Sequence, residues 1–173
     1  LVVNVSSSSS QAGVGLFGYA DGSGFIKNAV LSSSCSISSG ITNSLVYMGG
    51  IVGYVGGDNF VIESVVNMAS ITLSGDSKSS FPVGGIAGSI SSISGSSVAA
   101  IVRNCANYGS ITDERVSPNQ EVNMGGIVGA VTGSESFNLF IQNSVNYGAL
   151  FSQFSESSAN VGGIVGAAQE LKL

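Results

Sequence analysis

Apolar positions in this chain come in short runs interrupted by glycine, and the runs recur. GVGLFG at 13–18 returns as MGGIVG at 48, VGGIAG at 83, MGGIVG at 124 and VGGIVG at 161, at intervals of 35, 35, 41 and 37 residues. Five copies at such a period mark a repeat architecture, in which each unit is one supersecondary element stacked on the next. A second block follows each of the first four copies: FIKNAVLSSSCS, VIESVVNMASIT, IVRNCANYGSIT and FIQNSVNYGALF. Aligned without gaps, the blocks place Asn28, Ser64, Asn104 and Asn143 in one column. Leu31, Asn67, Asn107 and Asn146 form a second, and Cys35, Ile71, Ile111 and Leu150 a third.

Helix is the wrong reading of these units, because glycine sits inside each apolar run and Val, Ile, Ser, Asn and Thr outweigh good helix formers. Each repeat reads as three short strands joined by Gly, Ser and Asn turns. Such a unit cannot bury its own apolar face, and stacking successive units does so continuously. The predicted fold class is therefore all-β, a parallel β-solenoid with about one three-stranded rung per repeat of 35–41 residues. Right-handed winding is the default for parallel crossovers. The whole chain, 1–173, reads as one solenoid: a partial repeat at 1–12, repeats at 13–47, 48–82, 83–123 and 124–160, and a partial repeat at 161–173.

Side-chain parity supports the stacking. Ile26, Ile62, Val102 and Ile141 form an apolar column, and the next position holds Lys27, Glu63, Arg103 and Gln142, which must then face water. Their alternating signs suit neighbouring rungs, where like charges would repel. The Asn columns carry turn chemistry. Asn tolerates left-handed backbone angles, and its amide can bond an identical Asn one rung away, so ladders are expected at Asn67, Asn107 and Asn146 and at Asn28, Asn104 and Asn143. Cys35 and Cys105 fall on different strands two rungs apart, about 10 Å, beyond the roughly 7 Å limit for a disulfide.

Composition then removes chemistry. With no His and two Cys, His-dependent triads and four-cysteine zinc sites are excluded, and no catalytic residue or cofactor is expected. Five basic residues against ten acidic ones, a net charge of -5, make nucleic acid and anionic membranes poor partners. No run approaches the roughly 18 apolar residues of a membrane span. A hydrophobic fraction of 43% with only 9% charged residues indicates a chain that folds.

The recurring core, Gly15-Leu16-Phe17-Gly18 in its first copy, resembles the GLUG-motif repeat family. That resemblance implies a secreted or cell-surface setting of the kind seen in adhesin-like repeat arrays. It implies no catalytic residue, since the motif contains none.

Remaining candidates are weighed one by one. Asp21, Asp58 and Glu135 follow the Gly-rich strand in three repeats and are a weak Ca²⁺ candidate, because calcium wants six to eight oxygens. The longest insertion, DERVSPNQEV at 113–122, carries Asp113, Glu114, Arg115 and Glu121 and reads as a solvated loop that could hold a ligand. Asp113 and Glu114 do not make a glycosidase pair, since neighbours on a strand point apart. Tyr108 and Tyr147, with Met68 in the matching place, form a turn stack expected to pack over the strand corner. Asn4-Val5-Ser6 is a sequon for N-glycosylation in a eukaryotic host.

The two ends look like complementary half-rungs, GIVGAAQELKL at one and LVVNVSSSSSQAG at the other, which suggests either a piece of a longer array or copies that stack head to tail. The expected function is an extracellular structural solenoid forming a fibre, stalk or surface layer by head-to-tail stacking. The alternative is an adhesin-type module holding a host protein or glycan on a lateral face; a weaker one is the non-catalytic arm of a secreted enzyme.

Overall fold

The computed structural model describes residues 1–6, 12–41, 45–57, 59–74, 81–92, 99–115, 121–133, 138–153 and 159–169. Among them there is no helix, and short strands wind into a parallel β-solenoid of about 4 turns. Each turn gives one strand to each of five parallel sheets, where the sequence indicates three strands per turn. In the second turn these strands are Val46–Gly49, Val52–Gly56, Val61–Glu63, Val66–Asn67 and Ser70–Leu73. The additional corners fall at Gly50-Ile51 and Ser64-Val65. The first is a two-residue bend that leaves no polar loop for sequence reading to detect, and the second falls at the first Asn column, where turn chemistry was expected.

Pairing follows the repeat, one rung per unit. Ile62 pairs with Ile26 on one side and Val102 on the other, and Val102 pairs with Ile141. In-register stacking sets like positions about 4.8 Å apart, so the backbone groups of interior strands are satisfied by the turns above and below. The interior is one apolar column running from Val14 to Val131 and including Ile51, Ile86 and Ile127, each fully buried at the same corner. Burying an Ile side chain stabilises the fold by roughly 1.5–3 kcal/mol, so a repeated Ile corner pulls successive turns into one register.

The corner after the third strand turns through a left-handed residue in every full repeat. Asn28, Ser64, Asn104 and Asn143 have φ of 55°, 55°, 56° and 48°. This region costs most L-residues energy and is visited by Asn because its short amide bonds locally. The first Asn column is thus explained by backbone geometry; its side chains meet only in an exposed Asn143–Asn104 contact at 3.4 Å.

The first turn departs from the gapless alignment twice. Val14 pairs with Met48 while Phe17 pairs with Val52, so the corner between them is one residue shorter than in the second turn. Leu31 pairs with Asn67, yet Ile37, not Cys35, pairs with Ile71. Two extra residues form a turn closed by the Cys35 N–H bonding the Ser32 carbonyl at 3.0 Å. Ile37 supplies the buried side chain that the column needs, which displaces Cys35 to a half-buried site at that turn. Both cysteines are free. Cys105 is buried, and desolvation pushes its thiol pKa up, which leaves it a poor nucleophile. No helix among the described residues is long and apolar enough to cross a membrane.

Candidate functional site

The motif glycines divide into two tasks. A Cβ on Gly84 would stand 1.9 Å from the Ala87 carbonyl oxygen and 2.7 Å from the Gly129 nitrogen, and one on Gly88 would meet the Met48 nitrogen at 2.5 Å. The first and third glycines therefore let two neighbouring sheets close backbone against backbone. The second glycine is a seat for a side chain. A Cβ on Gly50, Gly85 or Gly126 would meet Cγ of Asn67, Asn107 or Asn146 of the same repeat at 2.4, 2.3 and 2.4 Å.

The seated amides form a chain along the axis. Asn67 Nδ2 donates to Asn107 Oδ1 at 2.8 Å, and Asn107 Nδ2 donates to Asn146 Oδ1 at 2.8 Å. Each Nδ2 also donates to the carbonyl two residues on, at Ala69, Gly109 and Gly148. Asn67 and Asn107 are fully buried, and a satisfied amide network in low dielectric holds register firmly. The first repeat lacks both halves of this device. It has Leu31 in the Asn column and one corner glycine fewer, so the seat and its occupant are lost together.

On an outer face, Glu63 takes Lys27 Nζ at 3.0 Å and Arg103 Nε at 2.8 Å, one from each neighbouring turn. Hydrogen bonds from Arg103 and Lys27 hold its carboxyl below the usual range. A depressed carboxylate contributes stability above the unfolded pKa and loses it as pH falls through the folded one. Glu63→Gln should therefore lower the melting temperature slightly at neutral pH in low salt. The difference should vanish in acid and at about 1 M salt, where screening is nearly complete; thermal scans across pH and salt measure it.

The remaining sequence candidates separate. Asp21 is exposed and accepts the Gly22 N–H at 2.7 Å; its column holds Gly56, Ser91 and Thr132, so no acidic stripe continues it. Asp58 and Glu135 lie outside the described residues, among which no cluster of three metal-ligating side chains occurs. The 113–122 segment is not uniformly solvated. Asp113 and Arg115 are buried as a bidentate pair at 2.8 Å, with the guanidinium 4.9 Å from the Phe81 ring, while Glu114 faces water. Parity explains the split, since positions 113 and 115 point inward. Half-buried Glu121 accepts a bond from Asn160. Asn4 is exposed on the Val2–Val5 strand opposite Ser38. Tyr108 and Tyr147 stack with centroids 4.9 Å apart, but stand 52% and 66% exposed instead of packing down over the corner.

Sequence reading missed a second tyrosine cluster and the groove beside it. Tyr19 stacks on Tyr54 at 4.7 Å, and Tyr47 leans on Tyr54 at 4.8 Å. Tyr19 and Tyr54 share a column with Ser89, Ala130 and Ala167. Where the column changes from aromatic to small, a groove of about 260 Å³ opens between it and a wall of Tyr47, Pro82 and Asn123. Burial, reinforced by Tyr54 and Tyr19, pushes the Tyr47 hydroxyl pKa up, which keeps it neutral. The signal was available as Tyr-to-small substitution at one register position, but it becomes visible only once the strand pairing is known.

No protein-family model, curated protein or solved structure matches the chain.

Proposed function

We propose that this chain is a structural repeat protein of an extracellular or cell-surface assembly, extending a fibre, stalk or layer by end-to-end stacking of its turns. The observation that carries this reading is where wet apolar side chains lie. Apart from Tyr108, every exposed large hydrophobic among the described residues belongs to the first or the last turn, including Val2, Phe17 and Phe25 at one end and Phe140, Phe151 and Val161 at the other. Those turns also present the outermost strands of each sheet, whose unpaired backbone groups are a template for another strand. The resemblance to GLUG repeats supports the surface setting, and the scarcity of charge favours an assembled over a dispersed state.

Stacked copies would continue three sheets directly, with Val2–Val5, Ala12–Val14 and Phe17–Asp21 over Leu150–Ser152, Ala159–Gly162 and Val165–Ala168. The other two sheets have four described strands against five, so each would skip one strand at the junction. The described half-rungs thus fall short of the full complementarity expected from sequence. Light scattering over a concentration series tests the proposal: mass should grow with concentration, with rods visible by electron microscopy, and Phe25→Lys with Phe151→Lys should suppress the growth. A constant monomer mass throughout would overturn it. A second reading, a module binding a host protein or glycan on a lateral face, is supported by the groove beside Tyr47.

A further inference from the structure

We infer that the groove between Tyr47, Pro82 and Asn123 on one wall and Ser89, Ala130 and Ala167 on the other is a binding site for an uncharged saccharide. The inference rests on the lateral-face reading and gives it a ligand class and a location.

Four features of the groove select this class. No charged side chain among the described residues lines it, so neither an anionic nor a cationic ligand would find a counter-charge to offset its desolvation. Phe81–Gly84, Ala87–Ser91, Val122–Gly125 and Val128–Thr132 beneath it pair on both sides within their sheets, and Val165–Ala168 at the groove's end pairs on one, so along most of the groove an extended peptide would find no open backbone ladder. Recognition falls to side chains, and these are hydroxyls and amides: Thr132 and Gln169, with buried Ser89 and with buried Asn123, whose Oδ1 already accepts from Asn160. Such groups both donate and accept, which matches the sugar hydroxyl. Finally, the ring of Tyr47 closes one end and Pro82, Ala130 and Ala167 give apolar patches, which suits the C–H face of a pyranose.

Size agrees with a short occupant. Small-molecule pockets run from roughly 300 to 1,000 Å³, and about 260 Å³ lies just below that range, enough for one or two sugar rings. The groove follows the solenoid axis, and rungs spaced about 4.8 Å apart offer a polar side chain at intervals comparable with the length of one ring.

The test uses the natural bulk of the neighbouring turns. Ala130→Tyr places in the groove the residue that the same column already carries at Tyr19 and Tyr54, so the outer face tolerates it. The 173-residue chain and this variant are applied to an array of neutral glucans, mannans and galactans with sulfated and sialylated arms, and hits are quantified by calorimetry. Binding to a neutral glycan that weakens at least tenfold in Ala130→Tyr, and likewise in Tyr47→Ala, with light scattering unchanged, is the expected result. Binding confined to the charged glycans, or no binding to any, overturns the inference. Neutral-glycan binding that survives both variants also overturns this groove as the site while leaving the lateral-face reading standing.

Discussion

Gly126→Ala should unfold this protein, whereas Gly163→Ala, at the same position of the motif, should be silent. A Cβ on Gly126 would stand 2.1 Å from the Gly163 carbonyl oxygen and 2.4 Å from Cγ of Asn146. One contact is backbone of the next turn and the other a side chain fixed by its own hydrogen bonds, so neither can retreat. On Gly163 the same atom meets nothing within 4 Å. Neither glycine has a positive φ, so the contrast is one of space alone. Forcing two backbones apart in a close-packed stack should cost Gly126→Ala more than about 4 kcal/mol, the range of exceptional point mutations. A domain of ordinary stability has only about 5–15 kcal/mol to lose. Gly163→Ala should stay within about 0.5 kcal/mol of the parent. Denaturant unfolding followed by circular dichroism, at concentrations low enough to keep the ends apart, compares them. Equal effects of the two substitutions would mean that the second glycine is a general feature of the strand and not a seat for Asn.

Stacking was legible in the sequence because it acts on identical positions. The Lys27, Glu63, Arg103 and Gln142 row pairs residue for residue, with Glu63 bridging its neighbours. The number of strands per turn was not legible. A corner made by Gly50-Ile51 buries its Ile and exposes no polar loop, so the hexapeptide reads as one strand when it is the end of one, a bend and the start of another. The gapless alignment failed only in the first repeat, where Ser32-Ser33-Ser34 adds residues without adding a recognisable turn pair. Ile37 then takes the buried place because it is the next apolar side chain with inward parity.

Candidate surfaces were harder to read, since exposure depends on which wall a strand lies in. Arg115 sits in a stretch rich in charge and polar residues, yet it is buried against Phe81 because parity and the bidentate carboxylate of Asp113 draw it inward. Tyr47 and Tyr54 are seven residues apart in one turn and carry no periodic signal. The bend at Gly50-Ile51 folds their strands onto adjacent sheets and brings the rings together, and the small residues later in the Tyr54 column then leave a groove.

Replacing Asn107 separates the ladder from the apolar column around it. Its Nδ2 serves Gly109 and Asn146, and its Oδ1 serves Asn67, all without exposure to solvent. Asn107→Ala strands a donor on Asn67, an acceptor on Asn146 and the Gly109 carbonyl. Each buried orphan costs about 1–3 kcal/mol. Asn67 keeps Ala69 as a partner and Asn146 keeps the Gly148 N–H, so the loss is partial and about 3 kcal/mol in total is expected. Asn107→Leu should be worse despite its greater hydrophobicity, because a branched side chain must then sit where Gly85 allows a flat amide. The first turn shows how the fold accommodates Leu at this column: Leu31 is buried where the corner has one residue fewer. Removing Gly85 together with Asn107→Leu should accordingly destabilise less than the sum of the two changes, and a double-mutant cycle by denaturant unfolding measures that coupling. If Asn107→Leu instead matches or exceeds the parent in stability, the ladder contributes nothing beyond filling space, and the pairing of the second glycine with Asn in three repeats would need another cause.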